Sequence, residues 1–161
     1  MALGDNTLQA ARGNQNPGRN PYMVQTVLNW ATALSDKGSA LAAADVVPVI
    51  AVPKGTMVLN AGIEVDTATD GSTFTVDLGM VDADVFVDGF DGTSAAAVVA
   101  QNPAAYQPVM AVADDNIDVT IATLSGGAVT SGKFRVWAVL MDCSDMGNDG
   151  VANEVARDYL A

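Results

Sequence analysis

The stretch Thr56-Met-Val-Leu-Asn-Ala-Gly-Ile-Glu-Val-Asp66 decides the fold. Met57, Leu59, Ala61, Ile63 and Val65 alternate with Thr56, Asn60, Glu64 and Asp66, a period of two that gives a strand one dry face and one wet face. Asp70-Gly71 follows with the chemistry of a hairpin turn. Phe74, Val76, Leu78 and Met80 then alternate with Thr73, Thr75 and Asp77, so a returning strand is expected to pair with the first. Upstream, the apolar strand Val46 to Val52 is broken by Pro48, which has no N–H to give to a ladder and so marks an edge or a bulge. Between the two, Val52-Pro53-Lys54-Gly55 places Pro second and Gly fourth, the pattern of a type I turn.

Downstream, Val81, Ala83, Val85 and Val87 alternate with Asp82, Asp84 and Asp88, which predicts a third strand with three carboxylates on its exposed face. The Ala-rich run from Thr93 to Ala100 is expected to make one or two helical turns capped by Thr93 or Ser94. Val109 to Val112, Ile117 to Leu124 and Lys133 to Cys143 read as further strands. In the last of these, Phe134, Val136, Ala138 and Leu140 stand opposite Trp137, Val139 and Met141, so both faces are apolar and a central strand covered on both sides is expected. Trp30 and Trp137 are expected to fill the core.

Residues 22–34 match a helical stripe through Val24, Val27, Leu28, Ala31 and Leu34, and equally a strand face through Tyr22, Val24, Leu28 and Trp30. Their β-branched and aromatic content favours the strand. The whole pattern predicts a mainly β fold, an antiparallel β-sandwich or jelly-roll-like barrel, with an extended N-terminal arm and a short C-terminal helix. The arm spans residues 1–21, where Gly, Pro and Asn leave no apolar periodicity. The body spans 22–145. The tail spans 146–161, with Val151, Val155 and Tyr159 on one side of the helix.

A chain of 161 residues, half of them apolar and 16% charged, has material for one compact core. No apolar run approaches the roughly 18 residues that a membrane helix needs, and the N-terminus has neither the basic nor the apolar region of a secretory signal, so action inside a cell is expected. Cys143 is the single cysteine, which excludes an internal disulfide and leaves a buried thiol or a reactive one, in keeping with a reducing compartment.

The net charge is −12, and its distribution is informative. Between Gly55 and Gly132 there is no Lys or Arg, while eleven acids occur. Such a surface repels phosphate backbones, so direct nucleic-acid binding by the body is not expected. The arm, in contrast, carries Arg12 and Arg19 against Asp5, the asymmetry of a tail that lies on something else, the alternative being a frayed terminus.

The chain has no histidine, which removes Ser-His-Asp and Cys-His catalysis, histidine metal ligands and any side chain that titrates naturally near neutral pH. No phosphate-binding, dinucleotide-binding or nucleophile-elbow motif occurs. The remaining chemistry is that of carboxylates. Asp82, Asp84 and Asp88 read as solubility and edge protection rather than catalysis. Asp142, Asp145 and Asp149, followed by Gly150, form a weak alternative Ca²⁺ site, but an EF-hand loop aligned on Gly150 would put Ala156 where a carboxylate is required. No enzyme, cofactor or metal is expected.

Val46-Val-Pro-Val-Ile-Ala-Val-Pro-Lys-Gly-Thr-Met-Val-Leu-Asn-Ala-Gly-Ile-Glu-Val65, Phe74-Thr-Val-Asp-Leu-Gly79, Asp84-Val-Phe-Val-Asp-Gly89 and Gly132-Lys-Phe-Arg-Val-Trp-Ala-Val-Leu-Met-Asp142 together resemble small β-sandwich proteins of tailed bacteriophages, the head decoration or cement proteins. The resemblance implies a virion structural protein that binds the outer surface of the major capsid protein shell and stabilises it. It also implies assembly in the host cytoplasm and a homodimer or homotrimer at capsid symmetry positions. On that reading Arg12, Arg19 and Tyr22 contact the capsid, because an arm of about 20 residues reaches about 60 Å when extended. The alternative is a tail, fibre or baseplate module that binds host glycans or other virion proteins.

Overall fold

A computed structural model describes residues 9–10, 20–94 and 108–143. Its elements are β1 (Gln9–Ala10), β2 (Tyr22–Asn29), α1 (Trp30–Lys37), β3 (Val46–Val52), β4 (Thr56–Thr67), β5 (Thr73–Gly79), β6 (Val87–Asp91), β7 (Val109–Met110), β8 (Asp115–Ser125) and β9 (Lys133–Asp142). They form two sheets, ordered β1-β3-β8-β5-β6 and β2-β9-β4-β7. All pairings are antiparallel except β1 with β3, where Gln9 and Ala10 stand beside Ile50 and Ala51. The expected antiparallel sandwich is thus what the chain forms. The expected C-terminal helix, and all but Thr93 and Ser94 of the Ala-rich turns, lie outside the described residues.

Alternation sends one set of side chains from each sheet into the space between them. Leu28, Val58, Ala61, Ile63, Phe134, Val136, Ala138 and Leu140 come from one sheet, and Val47, Phe74, Val76, Leu78, Ile117, Val119 and Ile121 from the other, all fully buried. Trp30 meets Phe74 and Phe134 edge-on, with ring centroids 4.9 and 5.4 Å apart and interplanar angles of 83° and 81°. Quadrupole attraction favours that geometry over face-to-face stacking.

Several expectations are corrected. β4 and β5 do not pair: they lie in different sheets, and β5 pairs with β8 and β6 instead. The reason lies in Asp70, whose carboxylate accepts from the Thr130 and Ser131 N–H groups and the Thr130 hydroxyl. That clamp ties the β4–β5 connection to the loop before β9, so Asp70-Gly71 carries a crossover rather than a hairpin. Residues 22–34 are not one strand. Asn29 ends β2 and caps α1, its Oδ1 accepting from the Ala31 N–H at 3.1 Å, and Gly38, in the left-handed region at φ +68°, closes the helix.

The strand expected from residue 81 begins only at Val87. Val81, Asp82 and Asp84 are exposed in the preceding reversal, so Asp82, Asp84 and Asp88 do not share a strand face. The chain folds back so tightly at Gly79 that a Cβ there would come 1.8 Å from the Asp82 carbonyl oxygen, and the alternating pattern continues past a point where the backbone has already turned. The turn after β3 is shifted by one residue from the type I expectation. The Thr56 N–H donates to the Pro53 carbonyl and Gly55 has φ +83°, the positive φ at the third position that a type II turn requires. Pro48 does sit at a register irregularity in β3.

Candidate interaction surface

The side chains that β4 presents outward are set by a bulge. Val58 pairs with Leu140, but Asn60 pairs with Val139, leaving Leu59 as an extra residue in β4. An inserted residue reverses the phase of a strand whose side chains alternate. Val58 rather than Met57 therefore points into the core, and Met57 is carried to the outside against the simple alternating pattern.

Register then assembles the outer face of the sheet. Met57 stands between Met110 and Met141, Val139 beside Met23, Trp137 between Gly62 and Gln25, and Arg135 between Glu64 and Val27. Of the chain's seven methionines, Met23, Met57, Met110 and Met141 occupy this one face. Met23 is 61% exposed, Val27 48% and Met110 37%. Met57, Trp137, Val139 and Met141 are half-buried, so β9 is central but not covered on both sides, and Trp137 is not in the core. At one end of the face Arg135 donates to Glu64 at 3.2 Å and to Asp66 at 3.4 Å. Methionine is flexible and polarisable, suited to a surface that must adapt to what covers it.

The opposite outer face has another chemistry. Register brings Asp118 between Pro48 and Gly79, Thr120 between Val46 and Asp77, and Thr75 beside Asp91. It is a surface rich in Asp and Thr, with Val46 45% exposed among them, and burial followed by the charge of Asp115 pushes the Asp118 carboxyl up to about 6. The sandwich is therefore two-sided, apolar and methionine-rich on one outer face, acidic on the other.

The residues singled out from the sequence fall elsewhere. Arg12 and Arg19 lie outside the described residues. Tyr22 opens β2, half-buried on its inward side opposite Leu140, and burial followed by the charge of Asp142 raises the pKa of its hydroxyl. Asp142 ends β9 and is exposed, while Asp145 and Asp149 lie outside the described residues. Among the described residues no three of His, Cys, Asp or Glu converge as metal ligands, and no helix is long and apolar enough to cross a membrane. Cys143 is half-buried rather than buried, and its N–H donates to the Gly55 carbonyl at 2.8 Å. The methionine face escaped the sequence reading, although its signal was present: a β9 apolar on both faces also describes a strand with one face in the core and the other on a partner.

No protein-family model matches the sequence, and no curated protein matches it. Among solved structures, the chain is similar to one in the capsid of Helicobacter pylori bacteriophage KHP30, with 14% identity over 77% of this chain and 89% of that one and a TM-score of 0.47. It is also similar to a chain in the capsid of Ralstonia phage GP4, with 16% identity over 85% of this chain and 99% of that one and a TM-score of 0.57. What this chain shares with the GP4 capsid chain is a fold, over almost the whole of that chain's length.

Proposed function

We propose that this protein is a bacteriophage virion structural protein that binds the outer surface of the major capsid protein shell and stabilises it. The observation that carries the reading is the two-sidedness of a sandwich whose fold recurs in a phage capsid. The methionine face supplies apolar area for docking, and the acidic face, which packaged nucleic acid would repel, suits the solvent side. The absence of histidine supports a structural rather than a catalytic role. Arg12 and Arg19 in the arm, with Tyr22 at its junction to the body, add a second contact that reaches a neighbouring shell subunit.

Counting copies of the chain in purified particles tests the reading. A number in the hundreds that matches capsomer symmetry supports it; a few dozen copies, or none, overturns it in favour of a tail, fibre or baseplate module. In the same particles, Met57→Glu and Met141→Glu are expected to lower occupancy by at least about ten-fold, and deletion of residues 1–20 to lower it as well. Asp77→Ala and Asp91→Ala on the acidic face should leave it unchanged.

A further inference from the structure

We infer that residues 151–160 form an amphipathic helix whose apolar half covers the methionine end of the outer face in the free chain. The inference concerns the free protein and does not depend on the capsid reading.

The apolar side chains of that face are gathered at one end of it. Met57 between Met110 and Met141, with Met23 beside Val139, makes up this end, while Arg135, Glu64 and Asp66 stand at the other. The methionine end is also where the chain leaves the sheet. Asp142 closes β9 opposite Thr56, next to the pair Met57 and Met141, and the Cys143 N–H donates to the Gly55 carbonyl at 2.8 Å. Residues 144–161 follow from that point, so this apolar patch is the nearest surface to them.

The sequence beyond the exit is patterned for such a surface. Advancing by about 100° per residue, Val151, Ala152, Val155, Ala156, Tyr159 and Leu160 all fall in one half of a helix, and Asn153, Glu154, Arg157 and Asp158 in the other. A helix of ten residues is marginal in water by itself and is held by packing of its apolar side, so it needs an apolar partner.

Dimensions and charge select the face. Ten residues rising about 1.5 Å each make a helix about 15 Å long, and four strands about 4.8 Å apart present a face about 14 Å across. Ser144 to Gly150, with Gly147 and Gly150 among them, reach about 23 Å when extended, enough to turn back over the strand ends. Asp145, Asp149, Glu154 and Asp158 against Arg157 make the segment acidic. The opposite outer face, with Asp77, Asp91 and Asp118, repels it, whereas Met23, Met57, Met110, Val139 and Met141 carry no charge.

Docking on a shell would require the segment to give way. Failure of the test below therefore leaves the capsid reading standing, and the copy number per particle tests that reading separately.

The test uses the full chain in solution. In a Cys143→Ser background, Met57→Cys combined in turn with Val151→Cys, Val155→Cys and Tyr159→Cys should give, under mild oxidation, a disulfide within one chain in at least one of the three. Met57→Cys with Asn153→Cys, on the polar half, should not, nor should Val155→Cys with Thr120→Cys on the acidic face. Without any cysteine change, Val155→Glu combined with Tyr159→Glu should uncover Trp137 and raise acrylamide quenching of its fluorescence at least about two-fold; Trp30 is fully buried and does not contribute. Unchanged quenching overturns the inference. So do equal cross-linking at position 153 and disulfides that join only two chains, which would assign the cover to a second copy.

Discussion

Trp137 lies so close over Gly62 that a Cβ on residue 62 would come within 2.4 Å of the indole ring. The two are direct cross-strand neighbours in β9 and β4, on the outer face. Glycine therefore acts here by making room: the ring lies flat across the strand and fills the middle of the methionine face.

Gly62→Ala should displace the indole and destabilise the protein by about 1–3 kcal/mol, the usual cost of overpacking. Adding Trp137→Leu should recover most of that loss, since the clash is with the ring. Denaturant unfolding of the two single variants and the double variant measures the coupling; additive effects would mean that the two residues act independently.

The Asp70 clamp predicts a second loss. Its carboxylate holds three donors from Thr130 and Ser131 and fixes the crossover that separates β4 from β5. Asp70→Ala removes all three bonds and should cost about 1–2 kcal/mol, the exposed N–H groups turning to water instead. Thr130→Val, which keeps the backbone bonds, should cost less, and a chemical-denaturation series ranks the two.

How far the fold was legible depended on the distance over which each choice is made. The alternation in β5 showed which side chains face inward, because burial of one face leaves a period of two that no neighbour needs to explain. Which strand pairs with which was not legible. Asp70-Gly71 has the local chemistry of a hairpin, and only its bonds to Thr130 and Ser131, sixty residues away, show that it serves a crossover. The methionine face was hidden for the same reason: Met57 reaches it through a bulge at Leu59 that is defined against β9 and not by the β4 sequence. Arg12 and Arg19 remain readable only as a charge asymmetry.

Trp30 offers a prediction in which two effects oppose each other. The side chain is fully buried between Phe74 and Phe134, yet its indole N–H has no hydrogen-bond partner among the described residues. Trp30→Ala should cost about 3–5 kcal/mol through loss of apolar contact and the cavity left behind. Trp30→Phe leaves a smaller cavity and also removes an unsatisfied donor that costs about 1–3 kcal/mol to bury, so its loss should be about 1 kcal/mol or less. A loss in Trp30→Phe well above about 1 kcal/mol would show that the indole nitrogen is satisfied in solution.

The acidic face gives the protein an unusual dependence on pH. Burial, and then the charge of Asp115, push Asp118 up to about 6 from its ordinary 3.8. The folded chain therefore binds that proton more tightly than the unfolded chain, and protonation favours folding. Stability from this group should rise as pH falls through about 6 and level off below 3.8. Asp70 acts in the opposite sense. The Thr130 hydroxyl, with the Thr130 and Ser131 N–H groups, lowers it to about 2, so its contribution is present above 3.8 and is lost as pH falls through about 2. Asp91, held down chiefly by the Thr93 hydroxyl, behaves as Asp70 does. Among the described residues these three groups favour greater stability on the acid side of neutrality. Asp118→Asn should stabilise the protein at neutral pH by about 1 kcal/mol, allowing for solvent screening of a half-exposed group, and should flatten the rise between about pH 7 and about pH 4. Denaturation midpoints across that range, for wild type and variant, decide the point. An unchanged slope in Asp118→Asn would show that another carboxyl carries the effect.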